Sequence, residues 1–362
     1  MELVYKSKKS EKEILDMACV CEKTIPDFFP SALFFGDNFE VMSSLMHDYR
    51  GKIDLIYTDP PYNTAQTFLL SKKRANSISR EKDGEVAYND KMNFDGYMEF
   101  IRERAILMRE LLSDKGSLYF HIDYKAGHYV KIILDEIFGE KNFKNDITRI
   151  KSNPKNFLRQ AYGNEKDLIL FYAKNAQNNI WNDIKIPLEK EEMEKRYSKI
   201  DKNGRRYTTI PLHAPGETKD GITGQPWRDI EVPKGRHWRT NPSEFDKLDK
   251  KGDIEWSKNG NPRIKKYAFE HKGKRIQDIW CFKDSQKPIY PTEKNIDMIK
   301  RIILQSSNPD SIVMDCFAGS GAMLKAAEEV GRRWIGIDNS KLAIEVIKSR
   351  RLKEYAYYDM TF

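Results

Sequence analysis

The stretch Asp54-Leu55-Ile56-Tyr57-Thr58-Asp59-Pro60-Pro61-Tyr62-Asn63-Thr64 constrains this chain more than any other. It reads as a buried strand running into an acidic, two-proline, aromatic loop. Such an end presents one carboxylate, carbonyls that no following N–H readily claims, and one aromatic face. Those parts suit a planar, amino-bearing ring whose amino group donates hydrogen bonds.

The length of 362 residues allows one large domain with an insertion, or two domains. Hydrophobic residues at 39% and aromatic residues at 12% are enough for a real core. No apolar run approaches the roughly 18 residues of a membrane span, and the start, with Lys6, Lys8, Lys9 and Glu11, lacks the apolar middle of a signal peptide. Cys19, Cys21, Cys281 and Cys316 are too scattered for a disulfide framework or a zinc site. The histidines make no metal-ligand spacing, and His121 fits a packed histidine better than a ligand. A cytoplasmic protein without a metal or a membrane partner is expected.

The net charge of +8 is concentrated: residues 181–290 hold 25 Lys+Arg against 18 Asp+Glu, and five of the six tryptophans. A basic, aromatic-rich segment suits a phosphate backbone and exposed bases, though a lysine-rich soluble surface has the same composition.

Residues 1–30 read as a helical arm built on Ile14, Leu15, Met17 and Ala18, ending near Pro26 and Pro30. Residues 31–175 follow a strand–helix alternation, with strands at Ala32–Phe35, Ile53–Tyr57, Gly116–Ile122, Asn145–Ile150 and Leu168–Ala173. That order suits a mostly parallel sheet covered by helices. Residues 66–92 lack periodicity and read as a long loop carrying Lys72, Lys73, Arg74 and Arg80, either a lid over DNA or a surface loop.

From 176 to 287 periodicity fades, and this segment reads as an inserted recognition domain. Its candidate DNA contacts are Arg228, Arg236, Trp238, Arg239, Arg263, Lys265 and Lys266, where cations stand beside aromatic rings. The α/β pattern resumes over 288–362, with Thr292 as the expected N-cap of a helix through Ile296, Ile299, Ile302 and Ile303.

Within that last part, Ser311–Asp315 is a strand leading into Cys316-Phe317-Ala318-Gly319-Ser320-Gly321, a helix, and a strand ending at Asp338, 23 residues after Asp315. This is a Rossmann-type βαβ unit in which Asp338 suits ribose hydroxyls. The dinucleotide pattern G-x-G-x-x-G is absent, since Leu324 stands where its third glycine belongs, and no Walker lysine is present. Asp315 disfavours a pyrophosphate and suits a cationic ligand such as the methionine end of S-adenosylmethionine. Alone, the motif fits a tight strand–helix turn as well.

Taken together, Asp59-Pro60-Pro61-Tyr62 and Asp315-Cys316-Phe317-Ala318-Gly319-Ser320-Gly321, in this order around a basic insertion, resemble the DNA adenine-N6 methyltransferases of the β arrangement. The likeness runs from about Phe34 to Arg350. His121-Ile122-Asp123 and the two motifs are especially similar to the modification subunits of Type III restriction systems, and Trp227–Trp238 and Ile276–Trp280 to stand-alone enzymes of the same arrangement. The resemblance implies an α/β fold, a Rossmann-like class I methyltransferase with a mostly parallel seven-stranded sheet and an inserted target-recognition domain. It implies S-adenosylmethionine as donor, and double-stranded DNA, a homodimer partner and a restriction subunit as partners.

Among single residues, the resemblance places Asp37 and Asn38 at the donor adenine, Asp338 at the ribose, and Thr292 and Lys294 near the donor's carboxylate. Asn295 replaces the family's usual proline, and Ala322-Met323 its usual threonines. It also implies that Asp59 and the Pro60 carbonyl accept from the amino group of a flipped base stacked on Tyr62. In the family the chain resembles, Asp rather than Ser at position 59 goes with adenine, and cytosine-N4 methylation is the alternative. No Pro-Cys pair is present for cytosine C5 chemistry. A catalytically silent DNA-binding module fits the insertion but leaves both motifs unused.

Overall fold

Strands covered on both faces become continuous apolar runs rather than alternating ones, and the central strands here do so. The computed structural model describes the chain except for residues 1, 22–24, 26–30, 63–66, 71–84, 90–91, 155–159, 219, 286–287, 292 and 362; for strands Thr67–Leu70 and Glu85–Asn89 only the backbone is described. The described residues form two units, 1–184 with 277–362, and 185–276.

The first unit is built on one sheet. Its strands, numbered along the chain, are β1 (Ala32–Phe35), β2 (Ile53–Thr58), β3 (Leu112–Ile122), β4 (Phe143–Ile150), β5 (Lys166–Ala173), β6 (Ile279–Cys281), β7 (Ile312–Asp315), β8 (Arg333–Asp338) and β9 (Ala356–Asp359). Their spatial order is β6-β4-β5-β3-β2-β7-β8-β1-β9. Only β5 runs against its neighbours. The sheet therefore has nine strands, the expected seven plus one at each edge. Both added strands are too short to carry a period of their own: Trp280 is the single buried residue of β6, and β9 alternates half-buried with exposed positions.

The helices are α1 (Glu11–Cys21), α2 (Asn38–Tyr49), α3 (Phe94–Leu111), α4 (Gly127–Phe138), α5 (Ile296–Ser306), α6 (Ala322–Glu329) and α7 (Lys341–Ser349). Val41, Met42 and Leu45 of α2, Ile101, Ala105 and Met108 of α3, and Val130, Ile133 and Leu134 of α4 share one buried cluster with Ile56, Leu118, Phe120, Met314 and Ile335 of the sheet. Ile14 and Ala18 of the arm helix belong to the same cluster, so the arm is part of the core.

Helix starts are set by local polar side chains, each contributing about 1 kcal/mol. Asp37 accepts from the Phe39 N–H at the head of α2 (2.8 Å), and Asn93 from Gly96 at the head of α3 (2.7 Å). The head of α5 differs from expectation. Asn295, not Thr292, is its N-cap, accepting from Asp297 and Met298; Thr292 itself lies outside the described residues. The residue that departs from the family's proline thus has a local task.

Residues 66–92 also differ from the expected loop: Thr67–Leu70 and Glu85–Asn89 pair antiparallel, with a register shift after Phe68. The cations Lys72, Lys73, Arg74 and Arg80 lie outside the described residues, as do Asn63 and Thr64, and Pro26 and Pro30 of the arm.

The second unit is narrower than 176–287, because its flanks stay with the first sheet. Ile180 N–H donates to Lys115 O (3.0 Å), Asn182 N–H to Gln305 O (2.8 Å), and β6 pairs with β4. Within 185–276 a four-stranded sheet orders Ile254–Trp256, Pro262–Tyr267, Arg206–Pro211 and Lys199–Ile200, beside the pair His213–Pro215 and Arg236–Trp238. Its core is Leu212, Trp227, Trp238, Phe245, Ile254 and Ile264.

That core corrects one expected DNA contact. Trp238 is 2% exposed and its indole N–H donates to Gln225 O (2.7 Å), so it holds the unit together and has no face for a base. Arg228 is exposed but bridges Asp246 and Asp249 on the surface (both 2.8 Å). Arg263 donates to Thr209 (2.9 Å to Oγ1) and Lys265 to Gly252 O (2.8 Å), both half-buried in the sheet. Arg236, Arg239 and Lys266 are exposed.

Candidate active site

Neighbouring parallel strands release their carboxyl ends side by side, and a cleft opens where the order of the sheet reverses. Here the chain builds outward in one direction from β2 and in the other from β7, and these two are paired, Leu55 opposite Val313 and Ile56 opposite Met314. Asp59 and Asp315 are delivered together. Thr58 Oγ1 lies 3.3 Å from Cys316 Sγ, and Asn38 Nδ2 donates to Cys316 O (2.8 Å), fixing both strand ends against α2. Burial pushes the Cys316 thiol up to about 12, which leaves it protonated and inert.

The glycine loop folds back on its own acids. Phe317 N–H donates to Asp315 Oδ1 (3.0 Å), and Gly319 N–H to Asp338 Oδ2 (2.7 Å), whose other oxygen accepts from Ser340 N–H (2.8 Å). Gly319 and Gly321 have φ of +49° and +72°, and a Cβ on Gly321 would stand 2.8 Å from Ile347 Cγ1. Only glycine fits there. Arg350 clasps the loop from behind, donating to Ser320 O and to the Glu293 carboxylate.

On the other wall, Tyr97 of α3 donates to Pro61 O (2.7 Å), holding the two-proline turn. Asp59 has both oxygens engaged: Tyr62 donates to Oδ1 (2.5 Å) and Lys294 Nζ to Oδ2. Beneath them the Tyr57 hydroxyl lies 2.9 Å from His121 Nδ1. Burial holds His121 below the usual imidazole value, so it is neutral and packed, as the sequence suggested.

The resulting cleft, counted with its open mouth, spans about 850 Å³. Its walls include Asp59, Pro60, Pro61, Tyr62, Lys294, Asp315, Phe317, Ala318, Gly319, Ser320 and Asp338. Gly321 shapes the loop without lining the cleft. Asp37 and Asn38 do not line it either. Asp37 is paired with Arg104 (3.0 Å) while capping α2, and Asn38 is buried, accepting from Arg104 Nε (2.5 Å). Sequence reasoning missed Tyr57, Tyr290, Glu293, Asn339 and Ser340 of the wall. All five stand within two residues of a recognised motif position, which was the available signal.

A model of a DNA methylase family, N6_N4_Mtase, matches residues 53–349, which include both walls of the cleft. The chain belongs to this N6/N4 DNA methylase family. It is 41% identical over 330 residues to the Type II methyltransferase M.EcaI of Enterobacter cloacae, covering 89% of this chain and 69% of that protein. To M.KpnI of Klebsiella pneumoniae, also Type II, it is 25% identical over 332 residues, covering 83% and 77%. To the StyLTI Mod subunit of Salmonella typhimurium, from a Type III restriction-modification enzyme, it is 28% identical over 326 residues, covering 80% of this chain and 48% of that subunit. The methylase thus spans about two thirds of M.EcaI and about half of the Type III subunit. No helix among its described residues is long and apolar enough to cross a membrane.

The methyl donor is S-adenosylmethionine, and the cleft of the methylase fits it chemically. Asp59, Glu293, Asp315 and Asp338 line the walls, against Lys294 as the only cation among the described lining residues. This is an acidic surround for a ligand carrying a sulfonium and an ammonium, with one cation for its carboxylate. Burial raises Asp315 well above the ordinary carboxylate value, with Asp59 and Asp338 adding to it. A bound cation relieves that strain.

Asp338 gives a pH test. Burial lifts its carboxyl to about 6, against the pull of the Ser340 and Gly319 N–H groups. Below that pH it takes up a proton and is no longer an anion; with Asp338 at the donor's ribose, as the family resemblance implies, donor affinity is expected to fall by up to about tenfold per pH unit. The stability of the fold runs the other way. A raised acid binds its proton more tightly folded than unfolded, so its contribution is fullest below the unfolded value of about 4 and is lost as pH rises through 6. Calorimetric donor titrations from pH 5 to 8 check this; an affinity that stays flat would remove Asp338 from the ribose.

Proposed function

We propose that this methylase transfers the methyl group of S-adenosylmethionine to the N6 amino group of an adenine flipped out of duplex DNA. The single observation that carries the reading is that Asp59-Pro60-Pro61-Tyr62 and the loop from Phe317 to Ser320 line one cleft at the carboxyl ends of β2 and β7. S-adenosylmethionine supplies, when bound, an electrophilic methyl group on a sulfonium sulfur. The residues of the chain do the rest.

An exocyclic amino nitrogen is a poor nucleophile because its lone pair is delocalised into the ring. Asp59 and the Pro60 carbonyl each accept one of its N–H bonds, which draws the nitrogen toward a tetrahedral geometry with an available lone pair. Tyr62 stacks on the flipped ring and offsets part of the unstacking cost of a few kcal/mol. The two walls hold nucleophile and methyl group in line. Asp338 carries the ribose and Lys294 the donor's carboxylate.

In this reading residues 185–276 form the recognition unit, with Arg236, Arg239 and Lys266 as its exposed cations for phosphate and base edges. The Type III relative, a Mod subunit, supports a restriction subunit as a partner; we further propose a second copy of the chain as a partner and the cytoplasm, which holds the DNA, as the compartment of the reaction.

The experiment is direct: incubate the protein with radiolabelled S-adenosylmethionine and duplex DNA, then digest to nucleosides. Label in N6-methyladenine supports the reading. Label in N4-methylcytosine selects the other base the family acts on, and tight DNA binding without label leaves a silent binding module.

A further inference from the structure

We propose that Lys294 is a positioning residue that couples the two walls of the cleft: its ammonium leaves Asp59 for the donor's α-carboxylate, and only then is Asp59 open to the target amino group. This rests on the reading above, in which Asp59 receives the amino group and the glycine loop holds the donor.

Three observations lead there. First, both oxygens of Asp59 are already engaged, one accepting from Tyr62 and the other from Lys294, whose ammonium also offsets the carboxylate's charge. Second, the described lining of the cleft offers the donor's carboxylate no other cation. Lys294 is the only positive side chain among the described lining residues, and Arg350 is turned onto Ser320 O and Glu293 behind the loop. Three N–H groups of the loop are also spent, Phe317 on Asp315, Ala318 on Ile337 O and Gly319 on Asp338. Third, Lys294 is buried, with a side chain 8% exposed, and a buried ammonium is costly without an anion. It therefore passes from one carboxylate to another rather than standing free.

The aromatic platform is moored to the same pair. Lys294 Nζ lies 5.4 Å from the centre of the Tyr62 ring, and the Tyr62 hydroxyl holds the remaining oxygen of Asp59. When Lys294 moves to the donor, Asp59 and Tyr62 lose their common anchor together. The acceptor for the amino group and the surface for stacking become available in one step. Donor binding then precedes base capture, and a base is not drawn from the duplex when no methyl group is at hand.

The test uses the full chain and a duplex carrying its mapped methylation site, with 2-aminopurine in place of the target adenine to report flipping by fluorescence. S-adenosylhomocysteine carries the α-carboxylate; 5′-methylthioadenosine lacks it. In the wild type, flipping is expected to be about tenfold stronger with the first than with the second or with neither. In Lys294→Gln it should occur regardless of ligand, while the preference for S-adenosylhomocysteine in binding drops by about tenfold and the affinity for 5′-methylthioadenosine, which also reports folding, is unchanged. Lys294→Arg should restore much of the preference. Asp59→Asn, which removes the competing carboxylate without deleting Lys294, should tighten S-adenosylhomocysteine alone. Flipping that ignores the ligand in the wild type, or that still needs the carboxylate in Lys294→Gln, overturns the coupling. If N6-methyladenine forms while flipping ignores the ligand, only the coupling fails; if no label enters adenine, the functional reading itself fails.

Discussion

Asp59→Ala is expected to lower methyl transfer by on the order of a thousandfold or more, because it removes an acceptor aimed at the reacting nitrogen. Donor affinity should be no weaker than in the wild type. The donor loop takes its shape from Asp315, Asp338 and Arg350, none of which Asp59 holds in place. Single-turnover kinetics with saturating donor, paired with calorimetric donor binding, separates the two effects. Full activity in the variant would end the role assigned to the carboxylate. A parallel loss of donor binding would recast Asp59 as part of the donor site.

The second large effect is expected at Trp238. Its side chain is packed among Leu212, Phe245 and Ile264 and has its indole N–H satisfied. Trp238→Ala should destabilise the 185–276 unit by about 3–5 kcal/mol through the cavity it leaves. Hydrogen exchange should then rise across that unit while residues of the large sheet stay protected. DNA binding should be lost through folding, and donor binding kept. Arg236→Ala, at an exposed position, should weaken DNA binding without any change in exchange. A Trp238→Ala protein with wild-type exchange but no DNA binding would return the indole to the interface.

These two residues also mark how far the sequence could be read. Asp59 was legible because its meaning is local: a buried strand that stops in Asp-Pro-Pro-Tyr has few other uses, and the glycine loop says the same of the second wall. The order of the two motifs required that they meet across the sheet, and the pairing of β2 with β7 brings them together. Trp238 was not legible, because an indole beside arginines reads equally as a base platform or as a core residue with a charged rim. Only tertiary burial separates them. The same holds for Asp37, whose carboxylate is used on α2 and Arg104 rather than in the cleft. Arg350 gave no signal at all: it acts on Ser320 and Glu293 from a part of the chain that carries no motif. Edge strands β6 and β9 were lost for a simpler reason, being too short to show a period.

The chain departs from the large sheet after Ile184 and rejoins it at Gln277. Just before leaving, the Asn182 side chain is stitched to Leu304 O (2.8 Å) and Ser307 O (2.9 Å); just after returning, Ile279–Cys281 is knitted onto β4. Both fastenings belong to the catalytic framework, so the segment between them is a cassette with its own small core. A lineage can exchange that cassette for another without unpicking a strand that carries Asp59 or Gly319. On the proposed reading, what changes in such an exchange is the word being marked on the DNA, while the pen is inherited unchanged.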